Sequence, residues 1–468
     1  MKKVLPERSF GRPRDSRAST KYRVITLANV EKEIGDRLKK LDLAGIKAVG
    51  SVLPFRANNY VADELIDWSN IPDDPMFQLT FPQPGMLDRN DFEQMRSLVT
   101  NGASRTAITD AARRIQTRLN PHPAGQLELN VPTYENQKLR GLQHKYRETV
   151  LFFPSAGQTC HAYCTYCFRW AQFVGIEDIK FASNEPELLA SYLKRNRDVR
   201  SVLITGGDPL IMKTKVLRRY IEPLLGPGLE HIESIRLGTK ATAYWPHRFV
   251  TDDDADDLLR LFETVRKAGK HLALMAHYSH PRELEPPIAE EALRRIQSTG
   301  ATVRCQGPLI RYVNDSIGAW IDLWTKQVRL GAVPYYMFVE RDTGPKQYFE
   351  VPLARALPIF NGAYRKVSGL GRTVRGPSMS ATPGKVLIDG VATIHGEKVF
   401  MLKFIQARDP DWVGRPFFAR YDRRATWLSD LQPAFGERQF FFGKVSGDGT
   451  ESNDPPRGLS STRAMSSI

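Results

Sequence analysis

The sequence predicts an α/β fold, a partial (βα)6 barrel with a helical N-terminal region and a small C-terminal extension. Six short apolar runs of strand length, at 150–153, 202–205, 234–237, 272–276, 302–305 and 333–339, alternate with amphipathic stretches of helical length. Such alternation builds a parallel sheet covered by its crossovers, and six units fall short of a closed eightfold barrel. Three of the four cysteines also lie within eight residues, in the loop after the first run. That is the end of a parallel sheet where chemistry collects.

The elements follow in order. Residues 1–22 form a basic, Pro/Ser/Arg-rich arm with the composition of a disordered segment. Residues 23–145 read as a helical domain, with apolar residues at helical spacing over 57–68 and 91–119 and Pro-rich connections between them. The barrel spans 146–345. Its clearest helix is 252–270, which opens on acids, closes on Arg266, Lys267 and Lys270, and has Gly269 near its stop, so both ends suit the helix dipole. The other helices are 186–198, 213–224, 289–299, 316–330 and 352–367. A C-terminal region, 346–442, holds an irregular stretch at 378–385 and two strand-like runs at 386–394 and 398–405. The tail, 443–468, is rich in Ser, Gly and Asp and reads as disordered.

Composition narrows the class. With 41% hydrophobic and 25% charged residues the chain suits a soluble enzyme. It has no apolar run long enough to span a bilayer and no signal peptide, so a cytoplasmic location without membrane contact is expected. The net charge of +15 is uneven: eight Lys/Arg against two acids lie in the first 23 residues. Nucleic acid is not an expected partner on this count.

The cysteines read Cys160-His161-Ala162-Tyr163-Cys164-Thr165-Tyr166-Cys167. Three thiolates at this spacing can hold three irons of a [4Fe–4S] cubane. The fourth iron is left open to chelate S-adenosylmethionine (SAM), whose reductive cleavage yields a 5′-deoxyadenosyl radical. A structural zinc site would need a fourth ligand, and His161 is the nearest candidate. One unit later the chain reads Thr205-Gly206-Gly207-Asp208-Pro209-Leu210. Paired glycines at a strand end let backbone approach a ligand closely, so Thr205, Gly206, Gly207 and Asp208 are the candidates for SAM's amino end.

At these residues the sequence resembles the lysine 2,3-aminomutase family, which joins radical SAM chemistry to pyridoxal phosphate (PLP). The matching segments run in one order over roughly residues 50 to 390. They comprise Asn120-Pro121-His122-Pro123-Ala124-Gly125-Gln126, His144-Lys145-Tyr146, the cysteines with Phe168-Arg169, and Gly206 to Leu210. His277-Tyr278-Ser279-His280-Pro281, Val313-Asn314-Asp315 and Pro334-Tyr335-Tyr336 follow. The resemblance implies that Lys385, in Pro383-Gly384-Lys385, forms the Schiff base with PLP. It implies that Tyr146, with Lys145, faces the PLP phosphate, and that Arg169 grips a substrate carboxylate through its planar fork. A phosphate-binding arginine of the family is Thr149 here. Of two aspartates that bind the distal ammonium in lysine-specific members, one matches Asp315 and the other is Ser378, so the amino-acid substrate stays open. No cysteine follows Cys305, which sits on a core strand, and no zinc is expected.

These features imply an isomerase that moves an α-amino group to the β-carbon of an amino acid. It would be a homo-oligomer served by an external electron donor of flavodoxin or ferredoxin type. The alternatives are radical SAM chemistry on a lysine or other residue of a protein or RNA, and a cluster-binding sensor or electron-transfer module.

Overall fold

A computed structural model describes residues 21–35, 37, 42–120, 130–175 and 180–445. Most of the basic arm, most of the tail, and Pro121 to Gln126 of the family segments lie outside these residues.

The centre is one sheet of eleven strands. In chain order these are β1 (Leu142–Tyr146), β2 (Thr149–Phe152), β3 (Ser201–Ile204), β4 (Ser234–Thr239), β5 (His271–His277), β6 (Thr302–Leu309), β7 (Val333–Val339), β8 (Arg375–Ser380), β9 (Gly384–Ile394), β10 (Glu397–Ala407) and β11 (Pro416–Arg420). Strands β2 to β8 pair in parallel, each with the next. Between them run α1 (Pro186–Arg195), α2 (Thr214–Ile221), α3 (Ala255–Lys267), α4 (Pro287–Ser298), α5 (Ile317–Arg329) and α6 (Leu353–Tyr364). The six predicted strand–helix units are therefore present, in the predicted order.

A seventh parallel strand was not predicted. β8 reads Arg-Gly-Pro-Ser-Met-Ser and its second half lies in the stretch taken as irregular, 378–385. Gly, Pro and Ser give no apolar run, and Pro has no N–H for a ladder. The strand forms because it is placed by its neighbour. The register slips between Tyr336 and Phe338, opposite Pro377, and a side chain on Gly376 would lie 2.7 Å from the Met337 carbonyl oxygen.

Along β3, β4 and β6 buried residues alternate with partly exposed ones, as a pleated strand demands. Val202, Ile204, Ile235, Leu237, Val303 and Cys305 turn to the helices, and Arg236, Arg304 and Gln306 lie on the opposite face. The helices answer with apolar stripes; α3 buries Leu258, Leu259, Leu261, Phe262 and Val265. Cys305 is core, as expected.

The outer ends of the sheet meet without pairing as strands. On β1, Lys145 donates to the Ala381 carbonyl oxygen. On β10, Gln406 donates through Nε2 to Glu148 Oε1 at 3.1 Å.

The N-terminal region is helical at Leu43–Val52, Arg89–Thr100 and Arg105–Leu119. Residues 57–68 are not one helix as expected: Ala57–Asn58 pair with Val24–Ile25, and the chain coils only over 59–65. Asn58 sits at the change: its Oδ1 accepts from Val61 N at 2.9 Å and starts the coil, while its amide reaches out to the cysteine loop. Its Nδ2 donates to the carbonyls of His161 at 3.1 Å and Tyr244 at 3.0 Å. Among the described residues no helix is long and apolar enough to cross a membrane.

Candidate active site

The cysteine loop starts beyond β2 and is held from outside the barrel. Tyr22 Oη donates to the His161 carbonyl at 2.8 Å, and the amides of Tyr163 and Thr165 donate to the carbonyls of Arg56 at 2.7 Å and Leu79 at 2.9 Å. Every one of these bonds uses loop backbone, which leaves the cysteine side chains to face inward. His161 packs edge-on against the Tyr22 ring and burial pushes its imidazole down to about 3.

Cys160, Cys164 and Cys167 are half-buried free thiols. Burial raises all three, Cys167 to about 12, and each of Cys160 and Cys167 is raised further by neighbouring sulfurs of the triplet. They thus share one pocket. Among the described residues no three His, Cys, Asp or Glu side chains close on a single point. Thiols crowded in an apolar pocket are the donor set a cluster needs once it displaces their protons.

The glycines at the end of β3 serve this loop. A side chain on Gly207 would come within 2.6 Å of Thr159 N, and one on Gly206 would run into Gln158. The amides of Gly207 and Asp208 donate to the Gly157 carbonyl at 3.1 Å, and Asp208 N also to the Thr159 carbonyl at 2.8 Å. The Asp208 carboxylate is 1% exposed. It accepts from Leu210 N, Thr239 Oγ1 and Lys240 N at 2.8 to 2.9 Å. Burial lifts it to about 6 against those bonds. The close backbone approach expected of Gly206-Gly207 is thus made to the cysteine loop, and Asp208 ties β3 to β4. Thr205, just past β3, is half-buried and donates its amide to the Phe152 carbonyl at 2.9 Å.

Arg169 follows the third cysteine. Its guanidinium lies over the Phe153 ring at 4.3 Å and donates to Gln158 Oε1 at 3.0 Å. Its Nε is buried without a partner. Burial pulls it down to about 10, opposed by the sulfurs of Cys167 and Cys160. An unpaired buried donor on a cation is a place for a carboxylate.

Lys385 is the second residue of β9, opposite Ser380 at the end of β8. Its ammonium sits over Tyr336 at 4.0 Å and Phe338 at 5.2 Å. Burial, then Arg375 and Arg236, bring it down to about 7. Lys145 is also lowered to about 7, by burial and then by Arg341, Arg408 and Lys385. Beside it Tyr146 is buried, with its phenol raised. Cations drawn from β1, β9 and the loops after β7 and β10 thus converge beside one weakened lysine. Such a group wants an anion. Arg341 and Arg408 were missed in the sequence because nothing local marks them; only closure of the sheet brings them to Lys145.

Asp315 is placed differently from its expected role. Its Oδ2 accepts from Arg355 at 2.8 Å. It is also not the cap of α5, which is Ser316. Ser378 is fully buried and its hydroxyl points to the Met337 carbonyl at 3.4 Å.

No protein-family model matches this chain. A protein of Aquifex aeolicus (strain VF5), provisionally named L-lysine 2,3-aminomutase, is 28% identical over 401 residues, 86% of this chain and 94% of that one. In sequence the chain is similar to the lysine 2,3-aminomutases. The L-lysine 2,3-aminomutase of Clostridium subterminale is 27% identical over 52% of this chain and 55% of its own length, so the match spans only about half of that relative. Among solved structures, a radical SAM methyltransferase from Sphaerobacter thermophilus overlaps 63% of this chain and 94% of its own, at a TM-score of 0.36 and 15% identity.

Proposed function

We propose that the chain is a radical SAM, PLP-dependent aminomutase that moves the α-amino group of an amino acid to its β-carbon. The observation that carries this is Lys385: an amine brought to about 7 among cations, at the barrel end that also carries the cysteine triplet. When bound, the cluster and SAM supply a carbon radical that takes and returns a hydrogen atom, while PLP delocalises the unpaired spin during the shift.

The protein's part is binding and placement. Cys160, Cys164 and Cys167 would ligate the cluster, and Thr205, Gly206, Gly207 and Asp208 flank it where SAM's amino end belongs. Lys385 would hold PLP covalently, because half of its amine is free near neutral pH. Lys145, Arg341 and Arg408 would take over the phosphate charge that Thr149 cannot, with Tyr146 beside them. Arg169, through its unpartnered Nε, would hold the substrate carboxylate between the two cofactors.

The substrate is an α-amino acid whose side chain brings no ammonium. Asp315 is already neutralised by Arg355, and Ser378 offers no charge, so a distal ammonium would be left unpaired.

The test is a visible spectrum of the anaerobically reconstituted protein with added PLP, beside Lys385→Ala. A PLP band that survives gel filtration in the native chain and is lost in the variant is expected. Cluster absorption without a PLP band in either protein would sink the aminomutase reading and leave a cluster enzyme of another class.

A further inference from the structure

The cysteine pocket contains a hydroxyl that none of the roles above uses. Tyr244 closes the short turn Ala241–Tyr244 after β4 and is 1% exposed. Its Oη stands 3.4 Å from Cys164 Sγ, a hydrogen-bonding distance for the larger sulfur atom. A sulfur that ligates iron is a thiolate and can only accept, so the phenol donates.

The surroundings fix this hydroxyl in place. The Tyr244 carbonyl takes the Asn58 amide that also braces the cysteine loop. The Lys240 ammonium lies over the Tyr244 ring at 4.5 Å. Lys240 is itself anchored by Glu283 Oε1 at 2.6 Å, with the His277 carbonyl at 3.2 Å. Both charges of that pair are buried, Glu283 completely. Tyr166 completes the wall, its hydroxyl between His277 Nδ1 at 3.2 Å and Ser279 Oγ at 3.1 Å. Phenol and sulfur therefore cannot turn away from each other without breaking a buried network.

We propose that Tyr244 is a positioning residue that donates a hydrogen bond to the Cys164 thiolate and raises the reduction potential of the cluster. It rests on the reading of Cys160, Cys164 and Cys167 as cluster ligands. Reduction adds one electron, taken from the external donor, and moves no proton: the phenol keeps its own. The added negative charge spreads onto the cysteine sulfurs, so a donor at Cys164 stabilises the reduced state more than the oxidised one. An iron–sulfur centre surrounded by apolar side chains would otherwise be hard to reduce, since burial opposes added charge. Tyr244 counters that, whereas the nearby Lys240 ammonium is offset by its partner Glu283.

The experiment is an electron-paramagnetic-resonance titration of the reconstituted full chain with dithionite and mediators, native beside Tyr244→Phe. The variant keeps the ring and loses only the donor. Poised at the native midpoint, it is expected to show a ratio of reduced to oxidised cluster about tenfold lower, which for one electron is a shift of about 59 mV to lower potential. In the native protein, an exchangeable proton coupled to the cluster spin should also vanish from the nuclear double-resonance spectrum in D2O. Tyr166 also faces Cys164, so the signal is expected to persist in Tyr166→Phe; its loss there overturns the role of Tyr244 even if Tyr244→Phe fails to hold iron. Equal midpoints in two loaded proteins, or no exchangeable proton in the native one, overturn the role of Tyr244 and leave the cysteine reading intact. A native chain that binds no cluster overturns both.

Discussion

Burial, and then the cations Arg375 and Arg236, bring Lys385 from the ordinary lysine range down to about 7. The sign for reactivity follows directly: only the neutral amine attacks, and it is the major form above about pH 7. PLP capture, followed as absorbance growth after mixing, should rise between about pH 6 and pH 8 and then level off. A rate still climbing beyond about pH 9, as for a solvated lysine, would contradict this. Arg375→Met removes the first-named cation and should move the inflection to higher pH. A second residue-scale consequence concerns Glu283, which accepts from Lys240 and from the amides of Ser279 at 2.6 Å and His280 at 3.1 Å. Glu283→Gln leaves the Lys240 ammonium buried without its anion. Breaking a buried pair from one side costs about 3–5 kcal/mol, which a urea midpoint would register; an unchanged midpoint would mean that solvent reaches the pair.

Among the elements, the end of β3 and the cysteine loop behave as one body. Gly207 lies so near Thr159 that a methyl group would meet backbone, not a flexible side chain. Gly207→Ala should therefore displace the loop and lower iron content after reconstitution several-fold, although residue 207 is no ligand. A full complement of iron in that variant would show that the loop can yield. The sequence revealed the glycine pair and its position, but not what it packs against, because close approach has the same signature whether the neighbour is ligand or chain. The strands and helices were legible for a related reason: apolar runs such as Val333–Val339 and the charged ends of α3 are encoded locally. β8 was not, since Arg-Gly-Pro-Ser-Met-Ser has no strand pattern and owes its form to β7. Nor was the Arg355–Asp315 pair, whose members lie forty residues apart and meet only when α6 packs beside α5. The cysteine spacing was the opposite case, with its chemistry written in eight consecutive residues.

For the molecule as a whole, the barrel is left open by its hydrogen bonding and shut by side chains. β1 and the β9–β10 hairpin stand at opposite ends of the parallel strands, yet Lys145 reaches the Ala381 carbonyl and Gln406 reaches Glu148. The turn bearing Ala381 leads directly into Lys385, so the seam of the barrel and Lys385 are one structure. Lys145 thus has two jobs in this reading, phosphate charge and closure. Substitutions separate them. Lys145→Met should lose both the anion partner and the bond across the seam, with weaker PLP retention and faster amide hydrogen exchange over residues 381–385. Gln406→Ala loses only a seam bond, on an exposed pair worth little by itself, and should leave PLP retention near native while exchange quickens less. If Lys145→Met exchanged at the native rate, the seam would be held by the packing of β9 on β8 alone. Retention lost at native exchange would then assign Lys145 to the phosphate and to nothing else.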